Sequence, residues 1–163
     1  MRKLFFLVIA ALCMAPAAIA DTPAGIEAFK SKKFAMAIKE LTPPAEAGDP
    51  EALYYLAQIH GGGYGVEKNL TTALHLYEKA AKKGHVPSQK EYGTALAIGD
   101  GAEQNVTEGL KWLFIAARAG NQEAGVYALR FSQLMNRAVV LTARREAAEW
   151  TTAFKKSQSS GQN

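Results

Sequence analysis

Three glycines constrain this chain most: Gly48, Gly84 and Gly120 recur at an interval of 36 residues (84 − 48 and 120 − 84). A fixed interval of that length marks a repeat architecture, in which each unit buries its apolar face only by stacking on a neighbour. The two full units read "GDPEALYYLAQIHGGGYGVEKNLTTALHLYEKAAKK" and "GHVPSQKEYGTALAIGDGAEQNVTEGLKWLFIAARA". They agree at Gly63 and Gly99, Gly65 and Gly101, Asn69 and Asn105, Leu74 and Leu110, and at the pairs Ala80-Ala81 and Ala116-Ala117. A glycine-rich stretch beside a lysine invites a phosphate-loop reading. Such a loop needs Gly-Lys-Ser/Thr after a strand. Here Lys68 follows Glu67 and precedes Asn69, and Gln104 replaces it one unit later. The loop therefore reads as a turn between helices.

Each unit predicts two helices. Leu70, Ala73, Leu74, Tyr77 and Ala81 lie on one helical stripe, repeated by Val106, Leu110, Leu113 and Ala117. Ala52, Leu53, Leu56 and Ile59 form the buried stripe of a preceding helix, with Tyr92, Ala95 and Leu96 in the second unit. Asp49 and Asn121 read as N-caps, with Pro50 at the first helical position. Gly84 and Gly120 stand where a helix ends on a left-handed residue. Residues 21–47 outline a shorter hairpin, whose second helix is expected to be interrupted at Pro43-Pro44. The expected organisation is a leader over 1–20, that hairpin, two repeats over 48–119, a degenerate capping repeat over 120–156 and a disordered tail over 157–163.

The leader reading rests on Arg2 and Lys3, the apolar run Leu4 to Leu12, and Ala18-Ile19-Ala20 before Asp21. These are the n-region, h-region and A-x-A site of a cleaved export signal. Leu12 before Cys13 disfavours lipidation, since a lipoprotein signal wants a small residue there. Cleavage would leave 143 residues (163 − 20), no cysteine, and a net charge of +2 (17 − 15) in place of +4. An exported chain without disulfides, membrane span or basic–aromatic run is expected, so nucleic acid is not an expected partner.

The repeat resembles the Sel-one-like repeat (SLR) family, relatives of the tetratricopeptide repeats. The first unit carries the family pattern at Ala52, Leu56, Gly63, Gly65, Val66, Asn69, Ala73, Tyr77, Ala80, Ala81 and Gly84. The second carries it at Gly93, Gly99, Gly101, Asn105, Trp112, Ala116, Ala117 and Gly120, with Ala57 and Gly109 among the departures. The resemblance implies an all-α solenoid of antiparallel helical hairpins in a right-handed superhelix. It also implies an adaptor that binds a protein or peptide on its concave face, in the bacterial periplasm or outside the cell. A minority of members, rich in cysteine, are linked to β-lactam binding or hydrolysis; this chain lacks their cysteines, so a cell-wall- or β-lactam-directed hydrolase is the weaker alternative. A secreted host-interaction factor is another.

No catalytic set, cofactor or metal site is expected. His60, His75 and His85 lack ligand spacing, and by repeat equivalence they fall at packed, exposed and helix-start positions. Asn69-Leu70-Thr71 and Asn105-Val106-Thr107 are glycosylation sequons by pattern, yet each Asn also suits a helix cap, with Asn105 and Glu108 spaced as a capping box. Glu146 and Glu149 read as surface ion-pair partners of Arg144 and Arg145. The register of the first helices instead points Tyr54 and Gln58, Lys90 and Thr94, and Arg130 to the concave side as the expected partner-binding strip.

Overall fold

A computed structural model describes residues 22–160. It holds eight helices and, among the described residues, no strand: α1 (Thr22–Lys30), α2 (Phe34–Glu46), α3 (Pro50–Gly62), α4 (Leu70–Lys82), α5 (Val86–Ile98), α6 (Val106–Arg118), α7 (Gln122–Leu134) and α8 (Arg137–Ser160). The pairs α1–α2, α3–α4 and α5–α6 pack as hairpins, and each second helix also packs on the next first helix. This staggered stacking makes one continuous core. Leu41, Leu53 and Ile59 anchor its first part, Trp112 and Ile115 its middle, and Leu110 and Leu113 its last.

The helix starts are closed by side chains. Asp49 Oδ1 accepts from the N–H groups of Glu51 (3.0 Å) and Ala52 (2.7 Å). Asn69 Oδ1 accepts from Thr72 N–H at 2.9 Å, and Asn105 Oδ1 from Glu108 N–H at 3.0 Å. Each satisfies a donor that the first turn leaves free. The two long loops are superimposable in their bonding: Asn69 N–H donates to His60 O and Asn105 N–H to Leu96 O, both at 2.8 Å. Gly101 (φ 86°) shows why this loop keeps its glycine. A Cβ there would lie 2.5 Å from Leu70 O, because the loop of the second unit rests on the start of α4. Gly65 (φ 73°) likewise sits against Phe34 of α2. The loops are stacking surfaces between units.

Three expectations are corrected. Helix α2 continues through Pro43-Pro44 to Glu46. The two prolines remove bonds to the carbonyls of exposed Lys39 and part-exposed Glu40, which water can fill. Helix α8 extends to Ser160, so Ser157–Ser160 are helical and no disordered tail begins at 157. The hydroxyls of Ser157, Ser159 and Ser160 donate back to carbonyls one turn earlier. The capping box is half formed: Asn105 N–H is already committed to Leu96 O, and the Glu108 carboxylate turns forward to Trp112 Nε1 (2.8 Å) and Lys111 Nζ (2.7 Å). Helix α8 also differs from the second helices of the full units, because it does not fold back on α7 as a hairpin partner. The seven-residue loop of the full units, 63–69 and 99–105, shrinks to Met135-Asn136, and α8 packs on α6 instead. The expected leader over 1–20, with Cys13, and the tail residues 161–163 lie outside the described residues.

Candidate functional site

The first helices α3, α5 and α7 carry the expected strip. On α3, Tyr54 is half-buried, with its ring centroid 5.8 Å from that of Tyr77 and 5.0 Å from that of His85. Gln58 follows Tyr54 one turn later on α3 and is half-buried. On α5, Lys90 is held between two carboxylates: Nζ lies 2.8 Å from Glu91 Oε1 and 3.0 Å from Glu123 Oε2 on α7. Burial alone would lower the Lys90 pKa, but these two acids outweigh it and raise it. The ammonium is thus a cross-repeat tie and not a free cation. Thr94 donates its hydroxyl to Lys90 O at 2.9 Å. Arg130 on α7 is exposed.

A cleft of about 220 Å³ opens between the end of α3, the apolar stripe of α4 and the face of α5. Thr94 lines it together with Tyr77, Glu91, Ile98 and Asp100. Of the five strip residues only Thr94 lines this cleft; Tyr54 touches its wall at Tyr77, Lys90 is tied to its Glu91, and Gln58 and Arg130 do not line it. Burial, then the charge of Glu91 and the neighbouring Tyr54, push the Tyr77 pKa up, so its phenol stays a neutral hydrogen-bond donor. Burial and Glu91 raise Tyr54 as well, against the pull of Lys90 and Gln58. The cleft therefore offers a carboxylate pair (Glu91, Asp100), a phenol and the exposed apolar side chain of Ile98 (56%). It can accept hydrogen bonds from a donor-rich segment while covering an aliphatic group.

Comparing the units position by position exposes what the register alone missed. Glu91 stands where the neighbouring units have Tyr55 and Tyr127, and Ile98 stands where the first has Gly62. Tyr77 is equivalent to Leu113, not to Trp112, which corresponds to Leu76. That one-residue offset separates a groove-lining tyrosine from a tryptophan that is only 2% exposed.

The histidines serve structure. His60 is half-buried, His75 exposed beside Glu78 at 3.7 Å, and His85 caps α5 by accepting from Ser88 N–H at Nδ1. Burial lowers the His85 pKa, although Glu51 and Asp49 pull it upward. Among the described residues no group of three or more His, Cys, Asp or Glu is arranged to hold a metal ion. Arg145 and Glu149 meet at 3.8 Å on the exposed side of α8.

Stacked helical hairpins with recurring glycine loops define an all-α helical repeat solenoid. The Sel1 repeat model matches residues 50–85 and 86–121, so the chain carries two Sel1 repeats within its helical repeat fold. A solved Sel1 repeat protein from Oxalobacter formigenes superposes with a TM-score of 0.67 at 30% identity, over 80% of this chain and 56% of that one. A protective antigen of uropathogenic Escherichia coli with an SLR fold superposes with a TM-score of 0.76 at 18% identity, over 85% of this chain. This chain spans 32% of that antigen's length. An F-box protein of Arabidopsis thaliana is 43% identical over 65 residues, which is 38% of this chain and 17% of that protein. Sel1 repeat proteins generally mediate protein–protein interaction and are generally not enzymes. Among the described residues no helix is long and apolar enough to cross a membrane.

Proposed function

We propose that this chain is an exported adaptor of the bacterial envelope, holding a segment of a protein partner in the groove along α3, α5 and α7. The observation that carries this reading is the cleft beside Tyr77, Glu91, Thr94 and Ile98, which joins convergent polar groups to an uncovered aliphatic side chain. The sequence over 1–20 and the likeness to two bacterial SLR structures support the setting. In this reading the hairpin 21–47 and the segment 120–156 flank the two full repeats and close the core at each end. Because Lys90 is already neutralised by Glu91 and Glu123, the groove favours a partner segment rich in N–H donors and not an acidic one.

A photo-crosslinking amino acid placed at Gln58 or Thr94 in living cells tests the reading, with Lys79 on the exposed side of α4 as control. One partner, identified by mass spectrometry, should be captured from both groove positions and not from Lys79. Its purified segment should lose affinity about tenfold or more when Ile98→Asp is introduced. Capture from Lys79 alone, or affinity indifferent to Ile98→Asp, would sink the groove assignment.

A further inference from the structure

We propose that a second cleft, between α6 and α8, binds an acidic peptide segment that carries an apolar side chain. Two cavities adjoin there and share Arg118. One, of about 370 Å³, is lined by Phe114, Ala117, Arg118 and Arg144. The other, of about 310 Å³, is bounded by Arg118 and Lys155, the start of α5 and the rings of Trp150 and Phe154. Every charged residue lining the two is a cation, and no carboxylate lines either. None of the three cations has an ion-pair partner among the described residues. The Arg144 guanidinium instead lies over the Phe114 ring, 5.1 Å from its centroid.

A second observation comes from the core wall of the same cavity. Gln89 is 2% exposed and occupies the position that holds Leu53 in the first unit and Gly125 in the third. Its Nε2 donates to Ala81 O at 3.2 Å, which fixes the amide's orientation. Its Oε1 is left without any donor. Stacking does not require a glutamine here, since leucine serves the first unit. The equivalent cleft of that unit has the apolar Leu53, a carboxylate at Glu46 and no aromatic wall. The second unit thus differs in three respects: a buried acceptor that lacks a donor, the loss of the carboxylate, and the Trp150–Phe154 stack (centroids 4.8 Å apart, 9° between planes).

A peptide meets all three. A backbone N–H can serve Gln89 Oε1, carboxylates can pair with Arg118, Lys155 and Arg144, and an apolar side chain can cover the stacked rings. An anionic membrane surface would satisfy the cations, but not a recessed acceptor enclosed by three helices. The site shares no lining residue with the groove, so it is a separate contact.

The test uses the purified chain, a fluorescein-labelled hexapeptide of alternating Asp and Phe, its counterpart with Lys for Asp, and vesicles containing phosphatidylglycerol. The acidic peptide should bind, perturb tryptophan fluorescence, and weaken as salt is raised. Gln89→Leu should weaken it about tenfold while leaving thermal stability equal or higher. Arg118→Glu should weaken it at least as much, and Ile98→Asp in the groove should change nothing. The proposal is overturned if the acidic peptide does not bind or if the lysine peptide binds as well. It is equally overturned if Gln89→Leu and Arg118→Glu bind like the parent, or if only the vesicles bind.

Discussion

Restoring the residue usual for the repeat family at position 109 should destabilise this protein. Gly109 lies in α6, where alanine is worth about 1 kcal/mol over glycine by helix propensity. The structure reverses that sign. A Cβ on Gly109 would lie 2.6 Å from Gly93 O, 2.7 Å from Ala97 N and 2.8 Å from Ala97 Cβ. Comfortable contacts begin near 3.5 Å, so the overlap is about 0.7–0.9 Å against atoms with no rotamer to change. Helix α5 would have to move away from α6, loosening Leu96, Leu110 and Leu113, all buried between them. Overpacking of this kind costs about 1–3 kcal/mol, and backbone atoms on the far side argue for the upper end. The net loss is then about 2 kcal/mol, or about 4–8 °C in Tm for a chain of this size. Gly125→Ala is the control. It sits in α7 with its nearest neighbour, Ala117 Cβ, at an ordinary 3.8 Å, so it should gain up to about 1 kcal/mol. Thermal and urea unfolding followed by far-UV circular dichroism separates the two. A Gly109→Ala midpoint raised as far as that of Gly125→Ala would refute the close-approach argument.

Gly101→Ala should combine left-handed strain with overlap against Leu70 O and lose more than 2 kcal/mol, whereas Gly120→Ala, with φ 98° and nothing within 4 Å, should lose only about 1 kcal/mol of strain; urea midpoints distinguish them. Asn105→Ala removes the acceptor of Glu108 N–H and should cost about 1 kcal/mol in the same assay, with Asn105→Asp close to neutral. Burial lowers the His85 pKa in the folded state, so unfolding takes up a proton near its ordinary value of about 6.5. That contribution is present above about pH 6.5 and fades as pH falls through the lower folded value. His85→Asn, the residue of the third unit, should flatten this part of the stability profile between about pH 7 and pH 5, and an unchanged slope would exclude His85 as its source.

The repeat made much of the solenoid legible because its constraints are local. Asp49, Asn69 and Asn105 cap helices through bonds spanning two or three residues, and Gly63 and Gly99 need only their own positive φ where a helix ends. What spans several units was not legible. The Lys90 tie needs Glu123 on another helix 33 residues away, and nothing in the α5 sequence specifies that α7 will bring it within 3.0 Å. The placement of α8 depended on a deletion. Once the loop shrinks to Met135-Asn136, the glycine turn that returns each helix to its partner is gone, and the Trp112, Ala147 and Trp150 cluster draws α8 onto α6. In the sequence, Ala143, Ala147, Trp150 and Phe154 fall on one helical stripe, which gives α8 an apolar face but no target for it.

The same logic says where a repeat protein can carry function. Positions that recur with the period are occupied by stacking: Ala80 and Ala116 are fully buried at equivalent sites. Chemistry specific to one partner must therefore fall where the period is broken. In this chain the breaks cluster in the second unit: Glu91 for tyrosine, Ile98 for glycine, Gln89 for leucine, and Gly93 with Gly109 for Ala57 with Ala73. The glycine pair closes the distance between α5 and α6. The other three face the two clefts on either side of that pair. A tight central hairpin is a rigid mount, and rigid mounting lowers the ordering cost of binding. Gly109→Ala should accordingly weaken binding in the groove by more than its stability loss alone would cause at temperatures where the chain stays folded. A binding loss confined to the unfolded fraction would instead assign the glycine pair to stability only.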